Sequence, residues 1–241
     1  MFSKPLKAAW FCLFILHLQV SSANDDGLSG DPDAIADAVA MVETMGGVEL
    51  WKHIDKLHFV HEWDFVNRYE RYIEHEILDL ADIRSYVTMK SETYDRIRAY
   101  SPEHGYWQIS DGEFSQGTEE QLANAIARGP FNIYRLARAI SRNDPDLNIN
   151  FATIPDFPPA PALVFHYTDG EPGGWIVLNA RKEPMVWATT QYQYVFGPMQ
   201  RFGNLWVPNW ATTSDGLVRY EMVSLEAANS APDLDLFAPP G

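Results

Sequence analysis

The chain has 241 residues, a single cysteine, and 33 acidic against 18 basic side chains, for a formal charge of −15 at pH 7. A field of that sign repels nucleic-acid phosphates and anionic membrane surfaces, so no nucleic-acid partner is expected. The one cysteine, Cys12, sits in an N-terminal apolar run, which leaves the rest of the chain without a disulfide, a zinc–thiolate site or a cysteine nucleophile.

The first residues read as an export leader. Lys4 and Lys7 form a basic start, Ala8 to Val20 is apolar, and Ser21-Ser22-Ala23 offers a small-residue cleavage site. The apolar run is too short to span a bilayer, at about 1.5 Å per residue across about 30 Å of hydrocarbon. Phe11, not a small residue, precedes Cys12, so no lipidation site is read there. The expected organisation is a signal peptide over 1–23, a disordered lead-in over 24–31 and one domain over 32–241. The mature chain is expected to be periplasmic or secreted, with no transmembrane segment. Its high charge serves solubility without invoking a partner.

Asp31-Pro32 opens a helix, with Asp31 as cap, Pro32 at the first helical position and Ile35, Val39 and Val42 on one stripe. Gly46-Gly47 stops it, and a second short helix is predicted from Val48 to about Lys56. Leu57, Phe59, Trp63 and Phe65 then alternate with His58, Val60, Glu62 and Asp64, as a strand does. A second strand runs through Tyr72–Ile77. With Asn67-Arg68-Tyr69 as loop centre, the register places Trp63 opposite Ile73, His61 opposite His75 and Phe59 opposite Ile77. A one-residue shift would set those apolar residues against Glu74 and Glu76. Ser85–Tyr94, Asp95–Tyr100 and Tyr106–Ile109 also read as extended. Thr118-Glu119-Glu120-Gln121 is a capping box that starts a helix, Gly129-Pro130 breaks it, and a further helix covers Phe131–Arg142. After the proline-rich stretch Pro155–Pro161 come strands over Leu163–Tyr167, Trp175–Leu178 and one long run Met185–Phe196. Leu205–Thr213 and Leu217–Leu225 then form a hairpin around Ser214-Asp215-Gly216. The order predicts an α+β fold: a large curved antiparallel sheet, an unclosed β-barrel, with an N-terminal helix and a helical lid on its concave side.

Three stretches carry a resemblance: Met45-Gly46-Gly47-Val48-Glu49-Leu50-Trp51 after the opening helix, Tyr106-Trp107-Gln108-Ile109-Ser110-Asp111-Gly112-Glu113 before the helical insertion, and Gly203-Asn204-Leu205-Trp206-Val207-Pro208. The last is followed by Asp215-Gly216, a final strand and a tail ending Leu236-Phe237-Ala238-Pro239-Pro240. In order and spacing the chain resembles the LolA-like periplasmic lipoprotein-carrier family. The resemblance implies a half-barrel whose helices plug the concave side, a hydrophobic cavity that accepts acyl chains or another lipid-like ligand, and an envelope protein as a candidate partner.

The candidate ligand-binding residues are the aromatics Trp63, Trp107, Phe131, Tyr134, Trp187, Tyr192 and Tyr194, with Arg135 and Arg138 on the lid as holders of a ligand's anionic head. Ordinary core packing explains the aromatics equally well. His61 and His75, opposite each other in the expected register, offer an alternative: an exported enzyme using that pair with nearby carboxylates, metal-assisted if His166, Glu113 or Asp111 supplies a third ligand. His58, Glu62, Asp64, Glu74 and Glu76 are assigned to the opposite face, as a solvated surface or a calcium site. No nucleophile elbow, phosphate loop or His-Glu-x-x-His helix is present, so the reading leans away from an enzyme, and no cofactor is expected.

Overall fold

The computed structural model describes residues 27–67, 70–154, 161–167, 170, 173–229 and 236–240. The expected leader, the first residues of the lead-in (24–26), two residues of the expected loop centre (Arg68 and Tyr69) and all but the end of the proline-rich stretch lie outside these residues; the rest of the lead-in, expected to be disordered, is described and carries a short strand. The chain enters through β1 (Ser29–Gly30) and α1 (Pro32–Thr44). Asp31 caps α1: its carboxylate accepts the N–H groups of Asp33 and Ala34 at 2.8 and 3.4 Å. Ala34, Ala38, Met41 and Val42 are the buried stripe, while Ile35 and Val39 pack at its margin. α2 (Val48–Lys52) is shorter than expected, and its Trp51 indole donates to the Met45 carbonyl at 3.0 Å.

A meander follows: β2 (Lys56–Phe65), β3 (Tyr72–Asp79), β4 (Arg84–Lys90), β5 (Asp95–Ser101), β6 (Gly105–Ser110) and β7 (Glu113–Gln116). The insertion is α3 (Glu119–Arg128), which carries the expected capping box, a 3-10 turn Gly129–Phe131, and α4 (Ile133–Ser141). The remainder is β8 (Leu147–Ala152), β9 (Ala162–Tyr167), β10 (Gly174–Leu178), β11 (Pro184–Thr189), β12 (Gln193–Phe196), β13 (Met199–Phe202), β14 (Leu205–Pro208), β15 (Trp210–Thr213) and β16 (Val218–Ala227). The single run expected over Met185–Phe196 is two antiparallel strands. Between them Thr189 Oγ1 accepts the N–H groups of Gln191 and Tyr192, both at 3.3 Å, so a threonine closes a turn that apolar periodicity conceals.

Fourteen strands form one sheet in the order β1-β8-β9-β10-β11-β12-β15-β16-β2-β3-β4-β5-β6-β7, and β13 pairs with β14 separately. Among the described residues β1 and β7 are its two edges, so the barrel is not closed, and only β1–β8 is parallel. The longest pairing joins β16 to β2, the last strand to the first of the meander, with a register shift between Met222 and Ser224 that adds local bend. The fold is the expected α+β half-barrel.

α1 and α4 pack onto the concave side. Leu136, Ala137 and Ile140 of α4 meet Leu147, Ile149, Leu163, Phe165 and Ile176 of the β8–β10 wall, with Leu57 and Leu78 from β2 and β3. Nearly all of α4 is buried, whereas α3 buries only Ala125, so α4 is a core helix and α3 the exposed cover. Among the described residues no helix is long and apolar enough to cross a membrane.

The β2–β3 register differs from expectation by one residue. Trp63 faces Tyr72, His61 faces Glu74, Val60 faces His75 and Phe59 faces Glu76. Because side chains alternate along a strand, this single step turns Tyr72, Glu74, Glu76 and Leu78 inward and leaves His75 and the 36 %-exposed Ile73 outward. The inward carboxylates are tolerated because a basic strand lies nearby. Glu76, Val87 and Arg98 stand in one row across β3, β4 and β5.

Candidate functional site

The helices fill only part of the concavity. Beside α4, over β2–β6, β11–β12 and β15–β16, lies a cavity of about 410 Å³. Its aromatic wall comes from Phe59, Trp63, Tyr134, Trp187, Tyr194 and Tyr220. Tyr220 is central: its ring centre stands 4.3 Å from that of His61, 4.9 Å from Trp63 and 5.9 Å from Tyr194. Trp187 stacks on Tyr194 at 5.8 Å, and its indole is anchored by a 2.8 Å bond to the Phe131 carbonyl. At the rim Arg128 lies over the Tyr192 ring at 5.1 Å.

The cavity also has a polar end, made of His61, Glu74, Glu76, Ser85 and Arg98. Glu74 is 3 % exposed; Oε1 lies 3.6 Å from His61 Nδ1 and Oε2 lies 3.8 Å from Arg98 Nη2. Glu76 accepts a 2.6 Å bond from the Ser85 hydroxyl. The two carboxyl groups are driven apart in acidity. Burial pushes Glu74 upward, but His61 and Arg98 outweigh it and hold the group below its ordinary 4.5. Burial, with the like charge of Glu74, raises Glu76 above 4.5, and Ser85, Arg98 and His61 offset only part of this. Burial opposes the charge on Arg98, yet Glu74 and Glu76 raise its pKa above the ordinary arginine value. Burial also raises the phenols of the wall, Tyr194 to about 12 and Tyr220 and Tyr134 well above their ordinary value, so all remain neutral. His61 is 6 % exposed and neither ring nitrogen has a hydrogen-bond partner; the Trp63 indole N–H also lacks one.

Of the residues singled out in the sequence, Trp63, Tyr134, Arg135, Trp187, Tyr192 and Tyr194 line this cavity. Trp107 does not. It faces Ala99 across β5–β6, one position out of phase with Arg98, and so lies on the outer side of the sheet under the C-terminal tail. There its indole donates to the Phe237 carbonyl at 2.8 Å, and Phe237 is itself buried beside Arg84. Phe131 is buried one layer behind the wall, so close to the chain that a Cβ on Gly173 would stand 1.9 Å from its ring. Arg135 has its donors on protein: Nε binds the Asp79 carbonyl, Nη1 that of Gly129, and Nη2 those of Asp82 and Arg84, at 2.9–3.3 Å. Arg138 binds the Ile54 carbonyl and the Asp55 carboxylate, away from the cavity. Both arginines tie α4 to the sheet ends instead of presenting free guanidinium groups.

The expected His61/His75 pair does not form. The register sends His61 inward to Glu74 and His75 outward, where its ring stacks beside His58 with a 3.4 Å nitrogen contact. The outward carboxylates are Glu62 and Asp64, joined by Arg71 at 2.8 and 2.9 Å; Glu74 and Glu76 are not among them. Among the described residues no three His, Asp, Glu or Cys side chains are grouped to hold a metal ion. Sequence reasoning placed Glu74 and Glu76 on the outer face and did not bring Arg98 or Tyr220 to the cavity. The available signal was parity: Tyr72, Glu74, Glu76 and Leu78 share one face, and Tyr72 and Leu78 are natural inward residues.

No family model matches the chain, and no curated protein matches it. Solved structures that overlap with it include a DUF1329 family protein from Desulfovibrio piger, at 5% identity and a TM-score of 0.44, covering 83% of this chain and 95% of that one. An uncharacterized conserved protein from Thermus thermophilus overlaps at 10% identity and a TM-score of 0.32, covering 86% and 93% of the two chains. MucB overlaps at 14% identity and a TM-score of 0.23, covering 89% of this chain and 65% of its own. At TM-scores this low the overlaps carry no argument, and the functional reading rests on the cavity.

Proposed function

We propose that this chain is an exported binding or carrier protein, periplasmic or secreted, that holds a hydrophobic, acyl or lipid-like ligand between its curved sheet and its helices. One observation carries the reading: an aromatic-walled cavity of about 410 Å³ on the concave face, beside a well-packed core. That volume falls among ligand pockets, which run from roughly 300 to 1,000 Å³. Apolar ligand surface buried there gains about 25 cal/mol per Å². The exposed α3 covers the insertion side and pairs with no strand, so it is able to move without breaking the sheet ladder. The LolA-like order of elements agrees with this use, and a carrier implies an envelope partner to receive the cargo.

The test is binding of a neutral apolar dye, Nile red, to the purified chain, with decanol as competitor and mass spectrometry of any extracted lipid. Saturable dye binding that decanol displaces is the expected result. A titration with no saturation and no extractable lipid would discard the reading.

A further inference from the structure

The cavity's polar end is unusual for a lipid pocket. Two carboxyl groups, Glu74 and Glu76, share one guanidinium, Arg98, and the Glu74–Arg98 separation of 3.8 Å is longer than a hydrogen bond. Beside them buried His61 lines the same cavity, with Nδ1 3.6 Å from Glu74 and no hydrogen bond at either ring nitrogen. Buried polar atoms are nearly always satisfied, so an imidazole without a hydrogen bond in a cavity wall is a place where a ligand atom would be favoured. We propose that this end of the cavity receives a protonated primary amine, with Glu74, Glu76 and His61 as its acceptors and the ligand's apolar tail along the aromatic wall. The inference rests on the carrier reading above and names the head group that the carried ligand bears.

The chemistry fits in three respects. An ammonium has three donors and no acceptor. Nδ1 of His61 is the nitrogen nearer Glu74, at 3.6 Å, so with Nδ1 carrying the proton, Nε2 is an acceptor and completes the set with the two carboxylates. Tyr220 and Trp63 line the cavity beside His61 with ring centres 4.9 Å apart, and an aromatic wall attracts a cation that comes over a ring face. The charge count also agrees. When both are ionised, Glu74 and Glu76 carry two negative charges against the single positive charge of Arg98. A bound monocation balances the second carboxylate and favours the ionised form of Glu76. The groups facing Glu76 are Glu74 on its own strand, His61 on β2, Ser85 on β4, Arg98 on β5, Tyr134 on α4 and Tyr220 on β16. An anionic head at the same place would meet Arg98 but also both carboxyl groups. The chain's overall charge of −15 draws cations toward the site and repels anions.

The experiment titrates the intact mature chain with decylamine, decanol and decanoic acid near neutral pH, by calorimetry. Decylamine is expected to bind about tenfold more tightly than decanol, the equivalent of one charged hydrogen-bond set, with decanoate weakest. The ratio of decylamine to decanol affinity should fall about tenfold in Glu76→Gln, which keeps the Ser85 contact, and stay unchanged in Glu62→Gln on the outer face. In the unmodified protein the same ratio should rise with pH as Glu76 loses its proton, which tests the site independently of any variant's folding. Decanol or decanoate binding as tightly as decylamine overturns the head-group assignment and leaves the carrier reading standing. Absence of binding by all three overturns both. A Glu76→Gln chain that keeps the full ratio, or a ratio flat with pH, removes Glu76 from the site.

Discussion

His61 and Glu74 face each other across β2 and β3, buried, with Nδ1 of the imidazole 3.6 Å from Oε1 of the carboxylate. The contact exists because of the register, and it places an ionised carboxylate inside a half-barrel whose other walls are aromatic. Arg98 reaches the same carboxylate from β5, so β3 and β5 are joined by charge across β4.

Opposite pH dependences follow for the two inward carboxyl groups, buried Glu74 and half-buried Glu76. Glu74 has a folded value below 4.5, so its stabilisation is present above 4.5 and is lost as pH falls through the folded value. Glu76 has a folded value above 4.5, so its contribution is full below 4.5 and is lost as pH rises through the folded value. Urea unfolding followed across pH should therefore show wild-type stability declining on both sides of an acidic maximum. Glu76→Gln is expected to abolish the decline on the alkaline side and to gain about 1 kcal/mol near neutral pH, since no buried carboxyl then has to ionise. A variant curve parallel to wild type would contradict the assignment.

Arg135 holds four carbonyl groups from four places: the end of β3, the turn that follows it, the start of β4, and the 3-10 turn before α4. Arg135→Ala is expected to cost about 3 kcal/mol in urea unfolding, because buried carbonyls lose a charged donor. Arg135→Lys should recover little of this, since a single ammonium cannot span the fork. Full recovery by lysine would show that charge alone matters there.

Trp107 belongs to the outer face and the tail. Trp107→Phe removes the 2.8 Å bond to the Phe237 carbonyl while keeping an aromatic ring. Amide exchange at Leu236, Phe237 and Ala238 should accelerate by about tenfold, the equivalent of one hydrogen bond. Nile red affinity should match wild type, because the ring is on the far side of the sheet from the cavity. Weakened dye binding with an unchanged tail would reverse the placement.

The local punctuation was legible in the residues. The Asp31 cap, the Thr118–Gln121 capping box and the hairpin at Asp215-Gly216 stand where expected, because each depends on groups within a few positions. The half-barrel was legible from the order of elements. The site was legible only in part: Tyr134, Trp187 and Tyr194 were named for their bulk, but bulk also named Trp107, which covers the opposite face. Glu74 and Glu76 were assigned outward because isoleucine is the more apolar neighbour. Hydropathy along one strand cannot register the arginine that compensates them two strands away.

Composition and short-range spacing were enough to determine an acidic chain, its helix starts and turns, and an alternation that makes most of it sheet. Which face each strand turns inward was decided in three dimensions. A step of one residue between β2 and β3 exchanges Ile73, His75 and Ile77 for Tyr72, Glu74 and Glu76, and the choice is made by Arg98, Ser85 and Tyr220 on neighbouring strands. Burial of a carboxylate is favourable only when its partners arrive with it, and those partners are distant in the chain.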